Sequence, residues 1–384
     1  MGVHRKATRK LRTVSLGWVM TCAALSVLIP VSNMDTSAAS ASVRYRVIPI
    51  ALRSATSSPT AINSSGEVIG QIGASNPVPF VYRSGWLVRL IPPQGVVDAQ
   101  ALALNDAGTI AVQSEGPDGS LAFAVRRNGR GFHWIRLAIA GLNATSVWVS
   151  GVAGNGDIAG TVMCKSSSGP IEQRSVIWRP IRGGQYAVAQ ALPVSRGFNS
   201  TISGAIWRKG KRTYVAGAES ASAPYVQDAS VWSPAPEIEA LPNQQLFVAA
   251  MGGARNAVYA AGTMRSATFK GWIAPVKFSP DGRAWLGRVD TLAPVPGYDQ
   301  SVALGVSVTR GGLPVTVGDA LSSASFATAG ALWTGSSSAS LLQSHLAGAQ
   351  WTITSASGIN ARGDIAAAGI YRGSLQALLL IPER

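Results

Sequence analysis

The sequence predicts an all-β fold, a seven-bladed β-propeller of four-stranded antiparallel blades. Three observations predict it. A hairpin motif recurs in register, two further strand patterns follow each hairpin, and an unmatched strand near the N-terminus completes the last blade. Composition agrees: Gly accounts for 42 of 384 residues and charged residues for only 13%, as many short strands joined by tight turns require.

The hairpin is clearest in four segments: AINSSGEVIG from Ala61, ALNDAGTIAV from Ala103, GVAGNGDIAG from Gly151 and GINARGDIAA from Gly358. Asn63, Asn105 and Asn360 open three of the turns, and Gly66, Gly108, Gly156 and Gly363 close all four. An Asn side chain bonds backbone two residues on, and Gly accepts the positive φ that ends such a turn. Weaker copies begin at Gly204, Gly252 and Gly305, which places seven starts at 61, 103, 151, 204, 252, 305 and 358. A period of about 50 residues matches one propeller blade.

A third strand follows each hairpin: PFVY, AFAV, SVIW, ASVW, GWIA, GALW and ALLL, from Pro79, Ala122, Ser175, Ala229, Gly271, Gly330 and Ala377. A fourth follows six of them, starting near Trp86, His133, Tyr186, Glu237, Trp285 and Ala339. The seventh repeat ends before its fourth strand. VRYRVIPI, from Val43, supplies it: Val43, Tyr45 and Val47 alternate with Arg44 and Arg46, as a half-buried strand does. Pairing the N-terminal strand with the last blade closes the ring and removes the open sheet edge at the seam.

The alternation I-N-x-x-G-x-[IV]-x-G, carried by Ile62–Gly70 and its copies and followed by the third-strand pattern intact at Ala122-Phe123, resembles the HAF-type extracellular repeat proteins of bacteria. The resemblance spans nearly all of residues 43–384. It implies a secreted, propeller-like array and brings no catalytic residues with it.

Residues 1–41 read as a separate object, with 42–384 as one propeller domain. Arg5, Lys6, Arg9, Lys10 and Arg12 precede a mostly apolar run from Val14 to Val31, and Ala39-Ser40-Ala41 offers a small-x-small cleavage site. This is the layout of a cleavable secretory signal peptide. The expectation is an extracellular or periplasmic monomer whose mature chain has no transmembrane helix. Cleavage would leave Cys164 as the only cysteine and so no internal disulfide. The formal net charge is +15, and the densest cationic run outside the leader is Arg208-Lys209-Gly210-Lys211-Arg212. Secretion argues against nucleic acid as partner. A dispersed positive field suits anionic polysaccharide, an envelope protein or simple solubility.

No sequence motif for metal, phosphate or nucleophilic chemistry is present, and no catalytic, cofactor or metal site is expected. Two histidines remain after the leader, His133 and His345, far apart in fourth strands. Glu67, Asp157 and Asp364 directly follow turn glycines and read as solvated turn acids. Ser279–Trp285 resembles a sialidase-type Asp-box but is one residue short, and reads as a Pro-Asp-Gly turn. Trp178, Trp232, Trp272 and Trp333 recur at blade spacing as core. The longer loops between blades are where function sits on a rigid scaffold. They place Asp98, Arg196, Asn243, Tyr298, Asp299 and Trp351 on one face as candidate ligand-binding residues. The expected function is therefore non-catalytic binding or scaffolding through that loop-rich face. The alternative is a hydrolase or lyase acting on polysaccharide, with carboxylates such as Asp98 and Asp299 converging at the channel mouth.

Overall fold

Seven antiparallel sheets follow one another along the chain in the computed structural model, and each contains one copy of the hairpin. The structure describes residues 43–383 except 51–55, 117–118, 130, 143, 166–170, 223–224, 233–245, 255–256, 310–311 and 349. The proposed leader lies outside the described residues.

Blade 1 runs Ser57–Ile62, Val68–Ile72, Val78–Arg83 and Trp86–Arg89, named strands a to d from first to last. Blade 2 runs Val97–Leu104, Ile110–Gly116, Gly119–Asn128 and Gly131–Arg136. Blade 3 runs Ala144–Val152, Ile158–Lys165, Ile171–Trp178 and Gln190–Ala191. Blade 4 shows Ser200–Lys209, Arg212–Ser222 and Tyr225–Trp232; its expected fourth strand, from Glu237, lies outside the described residues. Blade 5 runs Leu246–Ala254, Ala257–Arg265 and Phe269–Phe278, and its fourth position is split between Ala284–Leu286 and Asp290–Thr291. Blade 6 runs Gln300–Val308, Pro314–Leu321, Thr328–Thr334 and Ser338–Leu341. Blade 7 takes Thr352–Ile359, Ile365–Tyr371 and Ser374–Pro382 from the C-terminus and Tyr45–Pro49 from the N-terminus.

The seam closes as the alternation of Val43–Val47 predicts. Tyr45 faces Pro382, Arg46 faces Ile381 and Val47 faces Leu380 in antiparallel register. Each a strand touches the a strand of the next blade, and that of blade 7 touches that of blade 1. The a strands therefore form the inner ring and the d strands the rim. The chain is a closed seven-bladed β-propeller.

A feature below the resolution of the sequence repeat shapes every blade. The a–b pairing carries a bulge at the same place in all seven, between Pro59 and Ala61, Ala101 and Ala103, Val149 and Gly151, and so on to Ala356 and Gly358. The residue before the bulge pairs with the motif's final position. Five blades place Gly there, and the bulge explains why: a Cβ on Gly217, Gly262 or Gly318 would lie 1.9 Å from a backbone oxygen of the a strand.

Apolar clusters fill the spaces between blades. Trp178, Trp232 and Trp333 are fully buried in c strands, and each donates its indole N–H to the connection entering its own blade, at Ala138, Pro193 and Ala293 (2.9, 3.0 and 2.9 Å). Trp272 is also core but sits two positions earlier, opposite Gly262. Cys164 is a buried member of the core between blades 2 and 3, and burial pushes its thiol up. Hydroxyls staple neighbouring blades: Ser57, Thr201 and Ser301 accept the c-strand N–H groups of Ala377, Ser175 and Gly271 (2.9, 2.6 and 2.9 Å). Between blades 6 and 7 the staple is a carboxylate. Buried Asp319 accepts the Ser355 hydroxyl at 2.7 Å and the Ala356 N–H at 3.3 Å, and burial pushes its acid up to about 6.

Candidate functional site

Antiparallel blades put the a–b and c–d turns on one face and the b–c turns and inter-blade connections on the other. The second, loop face holds the expected binding residues. Asp98 opens the a strand of blade 2, half-buried, with φ of 50° in an irregular stretch of pairing. Arg196 is exposed in the Ser195–Phe198 turn, which is anchored where Ser195 donates its N–H and hydroxyl to buried Glu219, both at 2.7 Å. Tyr298 closes the Val295–Tyr298 turn and packs on the blade 5–6 core, and burial raises its phenol. Asp299 accepts the hydroxyl and N–H of Ser323 at 2.5 and 2.8 Å, and these bonds hold its carboxyl below the usual range. Trp351 stacks on Tyr371 at 4.9 Å and leans on the blade 6–7 core. Asn243 lies outside the described residues.

These residues share a face but not a site. They belong to blades 2, 4, 6 and 7, and Tyr298, Asp299 and Trp351 are engaged by their own surroundings. Asp98 and Asp299 open blades that are not neighbours. Among the described residues Asp98 is the only carboxylate on any of the seven inner strands.

The turn face departs from expectation. Glu67, Asp157 and Asp364 are not solvated turn acids; they are only 9%, 3% and 5% exposed. The reason is that each immediately precedes a b strand and points back under its turn. Glu67 and Asp364 accept the carboxamide N–H of Asn63 and Asn360 at 2.8 and 2.9 Å and pair with Arg83 and Arg362. Asp157 accepts the Thr213 hydroxyl of the next blade at 2.6 Å. Glu67 and Asp364 thus brace their own turns, and Asp157 ties blade 3 to blade 4.

The turn Asn residues do the same. Each Oδ1 accepts N–H groups of its own turn, while Nδ2 reaches the next blade. Asn360 donates to the Asn63 carbonyl, Asn63 to that of Asn105 and Asn105 to that of Ala153 (3.1, 3.3 and 2.8 Å). This relay crosses the seam between blades 7 and 1.

Two clefts open on this turn face. One, of about 300 Å³, lies between blades 2 and 3, lined by Arg126, Arg127 and the turns around Gly108 and Asn155. Arg126 is held by the Tyr186 hydroxyl at 2.9 Å and lies over the Tyr186 ring. The other, of about 500 Å³, lies at the turn end of blade 5 and includes Lys209, Lys277, Tyr259, Phe278 and Trp285. Sequence reasoning singled out neither. The signal was there in Arg208–Arg212 and Ser279–Trp285, but nothing in the chain order shows that they meet.

No protein-family model matches the chain, and no curated protein matches it. Solved structures similar to it include the acylaminoacyl peptidase of Pyrococcus horikoshii, at TM-score 0.49 and 9% identity over 84% of this chain and 52% of that one. The GH74 xyloglucanase of Xanthomonas campestris aligns at TM-score 0.43 and 12% identity, over 84% of this chain and 53% of that one. The xylan β-1,4-xylosidase of Bacillus halodurans C-125 aligns at TM-score 0.32 and 9% identity, over 89% and 91%. Likeness at this level transfers no chemistry to the chain.

Proposed function

We propose that the chain is a non-catalytic binding propeller that holds an acidic polysaccharide outside the cytoplasm, against its turn face. One observation carries the reading: the two clefts on that face each present two cations, Arg126 with Arg127 and Lys209 with Lys277. The three buried acids of the face are occupied by turn or inter-blade partners and leave the exposed cations in excess. A rigid surface of separated cations suits a long polyanion better than a compact one. The reading moves the binding surface from the loop face to the turn face.

Retention on immobilised polygalacturonate, with neutral dextran as reference, tests it. Retention is expected at low ionic strength and release by about 0.5 M salt, where the screening length falls to a few ångströms. Absence of retention at low salt, or equal retention on dextran, overturns the proposal.

A further inference from the structure

Two sequence features with no part in the blade repeat meet at one place. The cationic run Arg208–Arg212 forms the a–b turn of blade 4, and Ser279–Arg283 forms the c–d turn of blade 5. Arg212 donates to the Asp281 carbonyl, and the Tyr214 hydroxyl donates to that of Gly282 at 3.1 Å, so the two turns are docked. The Asp-box-like turn is itself braced. Gly282 N–H donates to the Ser279 carbonyl at 3.0 Å, Arg283 N–H to the Ser279 hydroxyl at 2.9 Å, and Arg283 pairs with Asp281 at 3.0 Å.

Docking sets the walls of the larger cleft. Lys209 Nζ lies 3.8 Å from the centre of the Phe278 ring, and Tyr214 meets that ring edge-on at 5.0 Å. Lys277 and Trp285 are direct cross-strand partners, so ammonium and indole stand side by side on one face of the sheet. Both lysines are exposed, and Trp285 and Tyr259 are half-exposed. The volume, about 500 Å³, falls within the range of small-ligand pockets.

We infer that this cleft is a ring subsite for a uronate residue of the polymer. The apolar face of the sugar stacks on Trp285, and the carboxylate, carried on the ring itself, meets Lys277, which shares that face of the sheet; Lys209, held over Phe278 on the opposite face, adds its field at the rim of the cleft. The pairing of charge and aromatic surface at one level favours a uronate over a nucleotide, whose phosphate is a ribose away from its flat base. The inference rests on the turn face being the polymer surface, and it adds the identity of the recognised unit.

Titration of the whole protein with short oligogalacturonides, followed by tryptophan fluorescence and calorimetry, tests it. Trp285→Ala is expected to weaken binding about tenfold with little change in salt dependence, and Trp285→Phe to restore most of it. Lys209→Gln with Lys277→Gln is expected to flatten the salt dependence, because both residues are exposed charges. Methyl-esterified oligogalacturonides, which keep the ring and lose the charge, should bind at least about tenfold more weakly. Thermal melting of each variant checks that the fold is kept. If oligogalacturonides bind wild type and Trp285→Ala alike, the subsite is overturned while the polymer surface stands. If a single-stranded DNA oligonucleotide binds as tightly and with the same loss in Trp285→Ala, the uronate assignment is overturned. If neither polymer nor oligomer binds wild type, the surface itself fails.

Discussion

The arc from blade 7 through blade 3 and the arc from blade 4 through blade 6 build the same ring with different turn chemistry. In the first, Asn360, Asn63 and Asn105 hand a hydrogen bond from each blade to the next. In the second the Asn is gone, yet the turn survives. At blade 6 Thr309 takes its place, with the Thr309 N–H on the Leu313 carbonyl and the Gly312 N–H on the Thr309 carbonyl, both as in the Asn turns. The Thr309 hydroxyl also bonds Leu313, within its own turn. The difference shows what the Asn is for. Backbone and Gly suffice to make the turn; the carboxamide adds a donor long enough to reach the neighbouring blade. Where the carboxamide is absent, the turn of blade 4 carries Lys209, Lys211 and Arg212 and reaches blade 5 through Arg212 and Tyr214 instead, which brings Lys209 to the larger cleft.

The largest effect expected from breaking the first arc is at its seam. Removing residues 43–50 strips the outer strand from blade 7, with buried Tyr45 and Ile50 and the bond between His345 Nδ1 and the Val43 carbonyl. A loss of several kcal/mol is expected in urea unfolding. Arg46→Cys with Ile381→Cys, directly paired positions, should crosslink in the folded protein. An equally stable truncation with no crosslink would break the closed ring.

The next effect lies where the second arc joins the first. Asp319 keeps its proton up to about pH 6 in the folded protein but gives it up near 3.8 when unfolded. The folded state therefore binds more protons between those values, and stability falls as pH rises through that window. Asp319→Asn should raise stability at pH 7.5 by about 3 kcal/mol and change little near pH 3.5. A variant that is less stable at pH 7.5 would show that the carboxylate is a net stabiliser there.

The smallest effects sharpen the comparison itself. Asn360→Ala removes the carboxamide bonds to Asp364 and to the Asn63 carbonyl, together with the acceptor for the Arg362 and Asp364 N–H groups, and should cost about 2 kcal/mol. Lys211→Gln, in the turn of blade 4, should stay within about 0.5 kcal/mol. Equal losses at both positions in thermal melts would refute the division of the ring into an arc tied through its turn Asn residues and one tied by other contacts.

Much of the fold was legible because propeller blades repeat. Turn glycines, the third-strand pattern and the orphan strand at Val43 are local signals, and copies in register reinforce one another. The turn acids were misread for a related reason. Position after a turn glycine suggests exposure, but Glu67 and Asp364 bend back under the turn onto its opening Asn, and Asp157 reaches Thr213 of the next blade. The described loop-face candidates lie on one side of the ring, since strand direction alone decides that. Their failure to gather is a matter of angle around the ring, which strand order does not encode.

By itself the sequence determined the class of fold, the blade count, the pairing of the termini and the sidedness of every loop. These depend on alternation, turn residues and period, all of which are short-range. Only the tertiary structure decided the rest. The bulge in every a strand brings backbone against backbone, and in five blades only Gly fits on the facing strand. The Asn relay needs the next blade's carbonyl within reach. The cleft exists because Arg212 and Tyr214 of one blade dock on Asp281 and Gly282 of the next, nearly 70 residues away along the chain. Each of these turns on close contacts between strands or blades, and such contacts are set by how the strands and blades pack.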